Sequence, residues 1–155
     1  MQQTDLENII TPLLNLLAAH SIDYHHFFRS LCSFQISSSK SPSTLIQHLF
    51  HKSHDLKQAL SDFNSWFETY RQRLLSEDTD DINRSIQMKQ INPKFVFRNW
   101  VAVEVTKRVE KGDKEILKRV LKMCENPYKE WGIEGEFQQE EANFCGNVPT
   151  VSMKI

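Results

Sequence analysis

Glycine is scarce in this chain: of 155 residues only four are glycine, and none precedes Gly112. The shortage excludes the glycine-rich phosphate loops. Both G-x-x-x-x-G-K-[ST] and G-x-G-x-x-G need glycines where backbone N–H groups approach a phosphate closely. Neither motif occurs, nor does a kinase catalytic loop, a D-F-G or a G-x-S-x-G elbow. Cysteine is also sparse. Cys32, Cys124 and Cys145 are far apart, odd in number and never in a C-x-x-C pair. That spacing excludes a disulfide framework or a zinc knuckle and suits a reducing compartment. No run of about 18 apolar residues exists to cross a membrane. The N-terminal stretch carries Asp5 and Glu7 but no basic segment, which argues against a signal peptide. Charge of one sign is missing too. The formal net charge is −1, so no overall field draws the chain to nucleic acid or an anionic membrane.

What is present reads as helix, because Leu, Lys, Glu and Gln abound while turn dipeptides are few. Residues 4–20 carry a broad apolar face behind Thr4, with Glu7 in capping-box register. Pro12 interrupts that stretch and predicts a kink, or a start near Thr11. Asp23 caps a second helix bearing Tyr24, Phe27, Phe28 and Leu31. The serine-rich 37–43 segment is a loop, and Thr44 to His51 a short helix. Residues 55–75 are the clearest amphipathic helix, with Leu56, Leu60, Phe63, Phe67, Tyr70 and Leu74 at intervals of three and four. Acids at 77–81 open a helix through Ile82, Ile86 and Met88 that stops before Asn92-Pro93. A helix over 94–111 ends at Gly112, and Asp113 caps the last one, with Ile116, Leu117, Val120, Leu121 and Cys124 facing inward. The expected fold is therefore all-α: one helical domain over 1–131 with five to seven helices, then an irregular, extended acidic tail over 132–155.

Candidate chemistry is thin. His48, His51 and His54 share a spacing of three, but without a matching carboxylate or cysteine they read as an exposed polar face rather than a zinc site. His25-His26 reads as a half-exposed helix flank. Basic residues from Arg84 to Lys122 form a stripe that could hold phosphates but reads as a solvated face laced with pairs such as Glu104–Arg108, Glu110–Lys114 and Glu115–Arg119, which the acidic segments before and after it neutralise. The sharpest local pattern is Asn92-Pro93-Lys94-Phe95-Val96-Phe97-Arg98-Asn99. Its Asn-Pro turn starts a helix, Phe95 and Val96 bury, and Arg98 grips a carboxylate or backbone carbonyls, with substrate phosphate as the alternative. No residue qualifies as catalytic, cofactor-binding or metal-ligating.

Met88 through Asn99 resembles the M-x-x-x-N-P-x-[FY]-[VI]-x-R-N signature of the selenoprotein O (YdiU) family. Ile22-Asp23-Tyr24 with Phe27-Phe28-Arg29 and Leu31 resembles its V-D-Y-x-x-F-F-R-x-L segment. Trp66 with Tyr70, Arg71 and Leu74 is similar to a further motif. Gly112-Asp113, Leu117, Val120-Leu121 and Asn126-Pro127-Tyr128 resemble the family's ending. The motifs run in order across residues 10–131.

The resemblance implies a C-terminal helical part of a pseudokinase-fold enzyme that moves AMP from ATP onto protein hydroxyls. ATP and Mg²⁺ would sit in an upstream kinase-like core, with no cofactor held by this chain. The implied partner is that core; otherwise the chain is a self-standing module that binds another protein. Nucleic acid and membrane are not expected partners. The implied compartment is the cytoplasm for a bacterial member and the mitochondrion for a eukaryotic one. Many members end in a reactive Cys or selenocysteine. Here Met153 stands near that position, and Cys145, beside Gly146 in the tail, is the candidate reactive thiol.

Overall fold

The computed structural model describes residues 3–39, 41–50, 55–77 and 80–146. Among the described residues every regular element is helical. The main helices are α1 (Thr11–Ala19), α2 (Tyr24–Leu31), α3 (Leu56–Leu75), α4 (Asp81–Ile91), α5 (Asn99–Glu110), α6 (Glu115–Glu125) and α7 (Gln138–Cys145). The chain divides into two compact units, Met1–Lys89 and Gln90–Ile155. None of the described helices is long and apolar enough to cross a membrane.

In the first unit, α3 is the spine. Phe63, Trp66, Phe67 and Leu74 are buried against Leu13, Leu17, Phe27, Leu31, Phe34 and Ile46. The rings meet specifically: Phe34 stacks on Phe67 at 5.5 Å and Trp66 on Tyr70 at 5.2 Å. Such aromatic pairs add about 1 kcal/mol each beyond their buried area.

Pro12 acts where expected. It has no N–H to donate to the preceding turn, and the chain there widens into a π-turn over Leu6–Ile10, where the Thr11 N–H reaches the Leu6 carbonyl. The Trp66 indole N–H then donates to the Ile9 carbonyl at 2.9 Å. Thr4, expected to cap this stretch, instead lies inside the short helical turn Gln3–Asp5. Arg73 holds that turn through Asp5, Nε to Oδ1 at 2.6 Å. The expected Asp23 cap is present, its carboxylate accepting the His26 N–H at 3.0 Å. Residues 44–51 are not one helix. Two 3₁₀ turns, Pro42–Leu45 and Gln47–Leu49, occupy the described part and bury Ser43 and Leu49.

In the second unit, α5 and α6 bury Trp100, Val101, Val105, Ile116, Val120 and Met123 together with Phe95, Trp131 and Phe144. The α5–α6 corner closes as a Schellman turn on Gly112, at φ +97°. The Gly112 N–H bonds the Val109 carbonyl and the Asp113 N–H bonds that of Arg108. On α6 the expected inward face is off by one turn edge: Leu117, Leu121 and Cys124 are exposed, and Met123 is inside. Helix α6 is also not the last. Part of the region read as extended tail forms α7, because Phe144 completes the core and Glu140 meets two arginines.

Candidate functional site

The most distinctive sequence segment, Asn92 to Asn99, is not helical before its last residue. Pro93 disfavours a helical Asn92, and α4 ends at Ile91. The chain then runs irregularly until Arg98, whose extended backbone (φ −115°, ψ 157°) precedes α5. The reason is a carbonyl clamp. The Lys94 and Phe95 N–H groups both donate to the Pro127 carbonyl, at 2.8 and 3.0 Å. Two Asn-Pro steps, 92–93 and 126–127, thus meet through the backbone. Phe95 drops into the core, Val96 is only half-buried and Phe97 is exposed. Arg98 is half-buried, and its carbonyl accepts the Val101 and Ala102 N–H groups; Asn99 is exposed as the first residue of α5.

A second cluster joins Arg108, Asp113, Arg119 and Glu140. Arg108 Nε donates to Asp113 Oδ2 at 2.9 Å, and both Arg108 and Arg119 pair with Glu140. Arg119 also lies over the Phe137 ring at 3.4 Å. The expected partners Glu104 and Glu115 are replaced by residues from the α5–α6 corner and α7, so the tertiary fold, not helix spacing, neutralises these two arginines. Beside them is a groove of about 410 Å³ lined by Lys118, Arg119, Lys122 and Lys129 but also by four glutamates and Trp131. Its mixed charge suits neither a polyphosphate nor a lone cation. None of Asn92, Pro93, Arg98 or Asn99 lines it.

The Arg108 guanidinium beside Asp113 holds that carboxyl below its ordinary value of 3.8, helped by the Ile116 N–H. A depressed folded-state pKa contributes stability that is complete above the unfolded value and is lost as pH falls through the folded one. The expected outcome is that Asp113→Asn reduces the acid dependence of stability below about pH 4. Thermal melts across pH 2–6 check it; an unchanged slope would refute the pair's role.

The remaining candidates disperse. His48 is exposed in a 3₁₀ turn, while His51 and His54 lie outside the described residues. His25 is exposed and His26 half-buried on α2, as the flank reading expected. Cys145 closes α7 and packs half-buried against the second core rather than hanging in a free tail. Met153 lies outside the described residues. Cys124 is exposed, but burial and then Glu125 push its thiol up, so it is a poor thiolate. Among the described residues no three His, Cys, Asp or Glu side chains could hold a metal ion.

Sequence reasoning missed the polar heart of the first unit. Arg84, counted above in a solvated stripe, is only 7% exposed. It donates to the Phe34 carbonyl, pairs with Asp81 at 2.8 Å and lies over the Phe34 ring at 5.7 Å. Arg71 grips the Ile36 carbonyl, and Asp81 accepts the Ile36 N–H at 2.8 Å. Burial pushes the neighbouring Tyr70 hydroxyl up, with Arg84 opposing. Arg29 donates to the Lys89 carbonyl in the last turn of α4, 3.1 Å away. The one signal available was Asp81–Arg84 at i,i+3, a spacing shared with ordinary surface pairs.

The family model described as protein adenylyltransferase SelO matches residues 1–125. A protein nucleotidyltransferase YdiU of Myxococcus xanthus is 33% identical over 122 residues, which cover 79% of this chain and 23% of that protein. The Salmonella schwarzengrund YdiU is 32% identical over 130 residues, 82% of this chain and 24% of its own length. In Tolumonas auensis the identity is 28% over 145 residues, 94% and 28% respectively. The chain spans about a quarter of the length of these relatives.

Proposed function

This chain belongs to the SelO (YdiU) family, and from that premise we propose that it is the family's C-terminal helical accessory region. It braces a nucleotide-binding core supplied by the remainder of a family-length polypeptide and does not itself transfer AMP. ATP and Mg²⁺ would be held in that core, and the compartment would be the cytoplasm in a bacterial host.

One observation carries the reading: most of the motif residues that resemble the family serve the fold of this region itself. Asp23 caps α2, Phe27 and Leu31 fill the core, and Arg29 takes an orphan carbonyl of α4. Trp66 and Arg71 bond the backbone at Ile9 and Ile36. Asn92-Pro93 and Asn126-Pro127 bracket the carbonyl clamp, and Gly112-Asp113 closes the α5–α6 corner. Residues used this way are positioned for support, not for contact with a reacting phosphate. Arg98 and Asn99, at the entry to α5, would be the structural anchors where this region meets the nucleotide-binding core.

The test is to purify the chain and measure ATP binding and transfer of AMP to a generic protein acceptor in Mg²⁺. The expected result is neither. Robust AMP transfer by the chain alone would sink the accessory reading.

A further inference from the structure

Helix α6 has two apolar faces, and only one is used by the core. Ile116, Val120 and Met123 are buried, whereas Leu117 and Leu121 are 53% and 57% exposed and Cys124 is exposed with them. At 3.6 residues per turn, 117, 121 and 124 fall on one line, about 100° around the helix from the buried set. Tyr128, 49% exposed, follows three residues after the helix end. Three exposed lysines, Lys114, Lys118 and Lys122, run along one edge of the stripe, with Lys118 paired to the exposed Glu115 at 2.8 Å. A contiguous apolar line with a charged border marks a contact surface.

We propose that the Leu117–Leu121–Cys124 stripe, with Tyr128, is where this region docks on the remaining polypeptide of a family-length protein, against an apolar ridge edged by acidic side chains. The proposal rests on the accessory reading and names its contact surface. Three observations select this occupant. The stripe lies within the part that matches the family, apart from Tyr128, and the matched part makes up only 23% of the Myxococcus xanthus relative, so about three quarters of that protein is left to cover it. The patch is four residues on one helix and the turn after it, far fewer than the roughly 20–30 residues a side of an independent stable complex. A covalently joined partner needs no such area, because linkage holds it at an effective concentration of about millimolar. The lysine edge disfavours an antiparallel second copy, in which lysines would face lysines.

Carbene footprinting, which labels side chains in proportion to their exposure, tests the proposal. Leu117 and Leu121 should label strongly in this chain, and the residues aligned with them in the full-length Myxococcus xanthus relative should label at least fivefold less. Equal labelling overturns the docking surface while leaving the accessory reading to the AMP-transfer assay. Two further measurements use the chain with Leu117→Glu and Leu121→Glu together. Circular dichroism should be unchanged; unfolding would make the stripe part of the core and overturn the proposal. Sedimentation of the wild-type chain should show a monomer; a dimer abolished by the double substitution would assign the stripe to a second copy and overturn it too.

Discussion

Gly132→Ala is expected to release α7 and to lower the melting temperature of the second unit by about 10 °C or more. Gly132 sits at φ +77°, and a Cβ built there would lie 2.6 Å from both the backbone nitrogen and the Cα of Ala142. The obstacle is main chain, so no side-chain rotation relieves it. The left-handed conformation alone costs about 1–3 kcal/mol for a residue with a Cβ. Displacing α7 also exposes Phe144, worth about 2 kcal/mol of burial, and breaks the bonds from Glu140 to Arg108 and Arg119. A total of about 3–5 kcal/mol corresponds to about 4–8 °C per kcal/mol in a unit of this size. Gly112→Ala is the control. Its φ is +97°, but a Cβ there meets nothing within 4 Å, so only the conformational cost applies. Scanning calorimetry of the two variants decides the matter: equal losses would show that the contact with α7 is not what Gly132 provides.

Arg84→Met should destabilise the first unit by about 3 kcal/mol, the usual scale for removing one partner of a buried ion pair. The substitution keeps most of the apolar stem but leaves Asp81 and the Phe34 carbonyl without their guanidinium. Arg84→Lys should recover little of the loss. An ammonium is not a planar fork, and it cannot lie flat over the Phe34 ring while reaching two acceptors. Urea unfolding followed by tryptophan fluorescence measures both, since Trp66 belongs to the same core. A lysine variant as stable as the wild type would show that a simple point charge suffices there.

Legibility in the sequence followed the range of the interaction. Asp23, Gly112 and Asp113 were readable because a cap or a C′ glycine is satisfied within a few residues of itself. Helix α3 was readable because its apolar period is long and regular. The 94–98 segment was misread as helix because the partner that denies it helical form, the Pro127 carbonyl, lies more than thirty residues away. Face assignment on α6 failed for a related reason. With apolar residues at 116, 117, 120, 121 and 123, two adjacent faces satisfy the same period, and only packing against α5 and Phe144 selects one. Arg84 looked like any surface arginine until Phe34 was brought over it.

By itself the sequence determined that the chain is all helical, where most helices begin and stop, and that its ordered motifs are those of the SelO family. Each of those conclusions rests on local backbone chemistry: proline without an N–H, glycine free to take positive φ, carboxylates at helix starts. Tertiary structure alone decided the division into two units, the existence of α7, the burial of Arg84 and the exposure of Leu117 and Leu121. These depend on pairings between residues distant along the chain, such as Glu140 with Arg108 or Phe34 with Phe67. Such pairings leave no periodic trace in either partner, because their free energy exists only once the chain has brought the two together.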